Sequence, residues 1–411
     1  MAIQEKGTIG PLTSFRFFAA MAVVMHHFFG TEHGVPEGSR LHLLSVYGYL
    51  GVPFFFILSG YILTHSYAST PERAASLNKT LFWWKRFARI YPLYLFSLLI
   101  DIPRAIIHSS GLHGAAGAAI RLVPTFFANV LMLQSWHGYL LGEWNRPSWS
   151  LSSEAFFYFL FPVLSLHLAW SKACAWKPAV LRNAGLLLLG CIVMGFSDYG
   201  TGRYPHAKSY LERNPALLVI LFVMGILLYR TEQLIRRQGQ KASNILNLVG
   251  SVSVFAGAAD LIVNYDLPPG IREAVCCLFF LGLIVLGRGG PAWFIRPLSW
   301  PVLLLLGEAS YGVYLLQFPL VYYFQKLWNV FGLEQLHLEA TGSKVTFYVL
   351  YTLTLIGTAI VLFRVLETPA RRYLQKCQPW SFKPHREPVK VFSIDHEDRE
   401  KSLECVTGSS V

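Results

Sequence analysis

Residues 46–68 read VYGYLGVPFFFILSGYILTHSYA, 23 positions without a single Asp, Glu, Lys or Arg. A helix crossing the hydrocarbon core of a bilayer needs about 20 mainly apolar residues, and this stretch supplies them. Working outward, comparable runs recur near 11–31, 89–108, 149–170, 179–197, 213–230, 245–264, 270–288, 300–325 and 345–366. A shorter stretch, 120–136 (IRLVPTFFANVLMLQSW), is interrupted by Pro124, Asn129 and Gln134. The apolar run Phe17 to Phe29 lacks the small-residue cleavage site of a secretory signal and is closely followed by a second run, so it reads as a retained first span. The pattern predicts an all-α, polytopic transmembrane helix bundle of about ten spanning helices.

Composition agrees. The chain has 411 residues, 54% hydrophobic and 14% charged, against about 25% charged in soluble domains. Its mean hydropathy is +0.42. Aromatics make up 15%, with 11 Trp and 20 Tyr, as expected where rings sit at the lipid headgroups. The net charge of +12 comes from cations between apolar runs, which suits anionic lipid and membrane topology rather than nucleic acid. Six cysteines, Cys174, Cys191, Cys276, Cys277, Cys377 and Cys405, show neither CxxC nor metal-ligand spacing, so no disulfide framework and no metal site is expected.

Basic clusters fall at Arg73/Lys79/Lys85/Arg86/Arg89, Lys172/Lys177/Arg182, Arg230/Arg236/Arg237/Lys241, Arg288/Arg296 and Arg371/Arg372/Lys376. All five reach the cytoplasmic side, as the positive-inside rule asks, if 120–136 is re-entrant or lies on the outer face. That arrangement gives ten spans, both termini cytoplasmic and an outer connection of about 108–148. It leaves Arg203, Lys208 and Arg213 outside. The expected organisation is a cytoplasmic N-terminus (1–10), a membrane domain (11–376) and a flexible polar cytoplasmic tail (377–411). No internal repeat is visible.

Ionisable groups inside spans are costly, so each is a candidate functional residue. Arg16 and His27 lie eleven residues apart, three helical turns plus about 20°, on one face and about 16 Å apart along the axis. His26 points about 100° away. The bland alternative has Arg16 snorkelling to headgroups and His27 as a satisfied core histidine. In LFWWKRFARIYP (81–92), Arg86 and Arg89 share a helix face and suit a phosphate; lipid anchoring would ask for the same pair. Glu154, in PSWSLSSEAFFYFLFP (147–162), enters the membrane about 7–8 Å beyond Trp149. At that depth it is expected to meet His27 and orient its ring, the arrangement of a general base. Alternatively, Glu154 is a helix N-terminal carboxylate stabilised by the dipole with Ser150, Ser152 and Ser153.

Together, SFRFFAAMAVVMHHF (14–28), GYLGVPFFFILSGYIL (48–63), WWKRFARIYPLY (83–94), PSWSLSSEAFFYFLFP (147–162), LGEASYGVYLLQFPL (306–320) and ETPARRYL (367–374) resemble the acyltransferase-3 family of integral membrane acyltransferases, which includes O-antigen and exopolysaccharide O-acetylases. The likeness runs over about residues 10–375. It implies ten core spans and passage of an acyl group, usually acetyl, from cytoplasmic acyl-CoA to a hydroxyl of an extracytoplasmic or lipid-linked glycan at the cell (inner) membrane. No permanently bound cofactor is implied. The family's Arg-x10-His motif falls on Arg16 and His27, its RxxR motif on Arg86 and Arg89, and its WSLxxE motif on Trp149, Ser150, Leu151 and Glu154. Ser59 and Gly60 match the SG that ends the family's second-span motif, and Ser310, Tyr311 and Tyr314 match its SYxxY block.

The resemblance thus implies His27 and Glu154 as catalytic residues, with His27 as general base or acyl-carrying nucleophile. Arg16, Arg86 and Arg89 would bind the acyl donor, and Ser59, Trp149, Ser150, Ser310, Tyr311 and Tyr314 would support the site. Gln317 stands where many members carry histidine, and an amide cannot exchange a proton near neutral pH. A multi-span transporter or flippase of a glycan or small anionic solute is the alternative, since it too would line a polar path with Arg, His and Glu.

Overall fold

A computed structural model describes residues 9–29, 40–168, 176–203, 213–263, 269–331 and 340–377; the expected tail beyond Cys377 lies outside them. Every regular element among the described residues is helical. The chain runs α1 (Gly10–Phe28), α2 (Arg40–Tyr47), α3 (Gly51–Tyr67), α4 (Pro71–Ala75), α5 (Lys79–Ile100), α6 (Ile102–Val130) and α7 (Trp149–His167). It continues through α8 (Trp176–Arg203), α9 (Pro215–Arg236), α10 (Gln240–Val263), α11 (Pro269–Gly289) and α12 (Ala292–Leu298). Last come α13 (Pro301–Val330), α14 (Ala340–Leu362), a π turn (Phe363–Glu367) and α15 (Thr368–Lys376).

All ten expected spans find a helix. By length and apolar composition, however, seven helices qualify to cross a membrane, or nine if each of two bent pairs counts as one crossing. The helix absent from that set is α1, which dilutes its apolar residues with Arg16, His26 and His27. The third expected span, 89–108, needs correction. Asn78 caps the helix by accepting from the Leu81 N–H (2.9 Å), so α5 starts at Lys79 and carries both RxxR arginines inside it. It ends at a 51° bend into α6, where Asp101 holds Arg104 by a two-bond fork (2.5 and 2.6 Å). Of the stretch 120–136, residues 120–130 lie in the second limb of α6, set off by a break at Gly114 with φ +68°, a conformation that favours glycine, and the rest turns away past Val130.

Helix α1 sits against α3, α11 and α13 and buries Leu12, Phe15, Ala19, Ala20, Val23 and Val24 along one side. Close approach of backbones fixes its neighbours. A Cβ at Gly307 of α13 would strike the Thr13 carbonyl of α1. Between α3 and α9 the device is reciprocal: a Cβ on Gly60 would meet the Phe222 carbonyl, and one on Gly225 the Ile57 carbonyl. Small residues at such crossings let helices pack without a hydrophobic driving force from water.

A buried ionic cluster ties the same elements. Glu232 of α9, fully buried, accepts from Tyr61 of α3 and from Arg236 (2.6 Å), while Arg288 of α11 donates to Tyr61 Oη (3.0 Å). Phe255, Leu248, Val252 and Leu181 are, by contrast, exposed on the flank of α8 and α10. Outward apolar side chains around a core holding paired charges fit lipid as the surrounding solvent.

Candidate active site

Three arginines expected at one site do converge. Arg16 of α1 and Arg86 and Arg89 of α5 line a cavity of about 450 Å³ with Ser59 of α3, Ser150 and Glu154 of α7, and Ser310, Tyr311 and Tyr314 of α13. The volume lies within the range of small-molecule sites. Arg86 reaches it from a firm base: its guanidinium donates to Tyr67 Oη (2.8 Å) and stacks 5.1 Å from that ring, while its Nε is buried without a hydrogen-bond partner. Lys85 also lines the cavity, so cations outnumber carboxylates on its wall.

Helical spacing explains the convergence. Arg86 and Arg89 share a face, as do Ser150, Glu154 and Tyr158 at four-residue steps and Ser310, Tyr311 and Tyr314 on α13. Hydrogen bonds lock the three helices together. Tyr311 donates to the Ile90 carbonyl of α5 (2.8 Å), Tyr314 to the Pro147 carbonyl (2.9 Å), and the Tyr314 and Ser150 hydroxyls lie 2.7 Å apart.

His27 stands apart from this wall, and its expected partner is different. Its Nδ1 lies 2.8 Å from Gln317 Oε1, and Gln317 Nε2 donates to the Tyr314 carbonyl (2.8 Å). The second bond assigns the amide's orientation, since Nε2 needs an acceptor and the peptide carbonyl is one. Oε1 is therefore the end that faces the imidazole, and Nδ1 must carry the hydrogen. Neutral His27 is held as the Nδ1–H tautomer, with the lone pair on Nε2. Tyr351 donates to the Gln317 carbonyl from α14, and Phe318 sets its ring edge-on to the imidazole at 5.0 Å. His26 takes a separate path, with Nδ1 2.9 Å from the Ser45 carbonyl.

Glu154 does not take up the expected pairing. Its carboxylate accepts from Ser59 (3.3 Å) and from Tyr158, and it belongs to the arginine cavity, where Arg16 feels its charge. The reason is depth. Ser150, not Glu154, is level with Tyr314; Glu154 lies about 6 Å further along α7 and Gln317 about 4.5 Å the other way along α13. The resulting offset of roughly 10 Å exceeds what a carboxylate side chain bridges. Trp149 lies outside the cavity wall, edge-on to Phe56 and beneath Arg213.

The structure also adds residues not singled out as site candidates. Glu367, buried at the π turn, has Arg89 and Arg16 as the cations acting on it most strongly. It begins the ETPARRYL block, next to two arginines just past the last span, which was the available signal. Tyr158 was signalled only by its four-residue spacing from Glu154.

Residues 12–364 match the model of an acyltransferase domain, which covers the helices that build the cavity and His27. The chain belongs to the acyltransferase-3 family. This acyltransferase is 27% identical to the acyltransferase MdmB of Streptomyces mycarofaciens, over 91% of its own length and 94% of the relative's. It is 25% identical to the peptidoglycan O-acetyltransferase OatA of Listeria monocytogenes, over 79% of its own length but about half (51%) of that longer protein. No solved structure matches it. The acyltransferase is an enzyme that transfers groups other than aminoacyl groups, built as a polytopic helical membrane protein.

Proposed function

We propose that this acyltransferase moves an acetyl group from acetyl-CoA, bound from the cytoplasm, to a hydroxyl of a glycan or lipid-linked sugar at the outer face of the cell membrane, through His27. One observation carries the reading: the arginine cavity ends at Tyr314, and one helical turn further on stands an imidazole whose Nδ1 is fixed by Gln317. Arg16, Arg86 and Arg89 would neutralise the donor's phosphates, for which guanidinium forks are suited. The pantetheine arm would extend past Ser59, Ser150 and Tyr314, over roughly the 16 Å that separates Arg16 from His27 along α1.

At His27, Nε2 takes the proton of the acceptor hydroxyl as its oxygen attacks the thioester carbonyl. The carbon–sulfur bond then breaks, and the imidazolium returns the proton to the departing thiolate. In the covalent variant, Nε2 itself attacks the thioester carbonyl and the thiolate of CoA leaves. The acceptor oxygen then attacks the acetyl-imidazole, the carbon–nitrogen bond breaks, and the hydroxyl proton ends on the thiolate. In both, Gln317 keeps the Nδ1 hydrogen and the ring angle fixed. Glu154 and Glu367 offset the charge of the arginines. The O-acetyltransferase character named for OatA supports a glycan acceptor.

The test uses purified protein in nanodiscs with radiolabelled acetyl-CoA, alongside mass analysis of cell-envelope glycans. His27→Ala is expected to abolish acetylation and leave membrane insertion intact. Arg86→Ala with Arg89→Ala is expected to weaken acetyl-CoA binding. Unchanged glycan acetylation in His27→Ala removes His27 from the chemistry, and unchanged donor affinity in the arginine pair reduces it to a topology device.

A further inference from the structure

Helix α13 passes two cavities, not one. Ser310, Tyr311 and Tyr314 face the arginine cavity, Gln317 and Phe318 flank His27, and Phe318, Tyr322 and Lys326 line a second cavity of about 460 Å³. The last three recur at four-residue steps and so share one face of the helix. Arg104, His108 and Arg146 face them across the space. The ring of Phe318 is what separates this cavity from the imidazole. It lies 5.0 Å from His27 on one side, while the Arg146 guanidinium sits 5.8 Å from it.

The charge of this second cavity is unbalanced. Arg104 spends its charge on Asp101. Arg146 and Lys326 are exposed to the cavity, and among the described residues neither forms an ion pair with a carboxylate. Topology does not account for them either, because the ten-span arrangement puts them at the outer end, where cations are not favoured.

We propose that this second cavity receives the acceptor, and that Arg146 and Lys326 select a hydroxyl compound carrying a phosphate group. The assignment of the acceptor role rests on the reading of His27 given above. A phosphate monoester brings close to two negative charges and uses both a guanidinium fork and an ammonium point charge. A neutral sugar has no use for either. Since Phe318 divides the cavity from His27, displacement of its ring lets the hydroxyl reach Nε2 while the phosphate stays with the two cations.

The full chain in nanodiscs is titrated with N-acetylglucosamine 1-phosphate, with neutral N-acetylglucosamine and with prenyl-diphosphate-linked N-acetylglucosamine. Binding is read directly, so the result does not depend on turnover. Arg146→Gln with Lys326→Gln is expected to weaken the phosphate-bearing ligands by about 10-fold or more, the scale of a lost hydrogen bond to a charged group. Neutral-sugar and acetyl-CoA binding are expected to stay put, the latter showing that the fold is intact. Arg146→Lys, which keeps the charge, is expected to retain most of the affinity. Preference for the prenyl-linked ligand over the soluble phosphate assigns the group to a lipid carrier, and equal binding assigns it to a soluble donor of the same chemistry. The proposal is overturned if the double variant binds sugar phosphate as the wild type does, or if phosphate gives no advantage over the neutral sugar. Phosphate binding that is lost in the double variant of a protein that never turns over acetyl-CoA would keep this site and sink the acetyl-CoA reading of the donor instead.

Discussion

The site turns on a neutral amide, that of Gln317. Gln317 accepts from His27 Nδ1 and donates to the Tyr314 carbonyl, so it fixes which imidazole nitrogen carries the hydrogen without exchanging a proton itself. Replacing Gln317 by Leu keeps bulk but removes the acceptor. The expected result is a fall in kcat of roughly 100-fold, the low end of what a general base contributes, with the KM for acetyl-CoA unchanged. Gln317→Glu retains the acceptor oxygen and is expected to keep much more activity; equal loss in both variants would reduce Gln317 to a packing role. At this scale the sequence was informative about membership and poor about pairing. The three-turn spacing did bring Arg16 and His27 to one side of α1, and nine of the eleven candidate side chains line one cavity. The partner of His27 was misread because depth within the bundle depends on how α7 and α13 slide past each other, and nothing local encodes that offset.

Between helices, small residues decide what can approach. Gly60 and Gly225 lie at the crossing of α3 and α9, each facing the other helix's backbone carbonyl. Gly225→Leu would force the helices apart and loosen the buried cluster of Tyr61, Glu232, Arg236 and Arg288 beside it. Overpacking of this kind costs about 1–3 kcal/mol. A clear drop in Tm of the detergent-solubilised protein is expected, against little change for Gly185→Leu, where a Cβ meets open space. Equal effects would deny the crossing its importance. The helices themselves were legible because charge-free runs of about 20 residues have few other readings. Their ends were less so: α5 begins ten residues before its apolar run, since Asn78 caps a stretch whose charges had marked it as membrane edge.

Over the whole molecule, the two cavities succeed each other along α13 from Ser310 to Asn329, about 28 Å of helix, close to the thickness of a hydrocarbon core. A membrane enzyme with this layout can take its two substrates from opposite compartments. Cys377, exposed just beyond Gln375 of the arginine cavity, offers a test. In a variant with Cys174 and Cys405 changed to Ser, a membrane-impermeant maleimide is expected to label inverted vesicles and not intact cells. Labelling of intact cells would place the arginine cavity outside and reverse the proposed direction of transfer. Composition and basic clusters conveyed the helical, polytopic class and suggested this polarity. The second cavity was illegible, because Arg104, Arg146 and Lys326 are far apart in the chain and only folding assembles them.

One feature of α1 reaches back to the protein's birth. Its polar side chains keep it out of the set of helices apolar enough to cross by themselves, although it is made before α3, α5 and α13. A segment so equipped gains little by entering lipid alone, and Arg16 and His27 find their surroundings only when α3, α5 and α13 have been made. Stable burial of α1 is therefore expected to wait for those later segments, so that the side chains proposed for chemistry would also set the order of assembly.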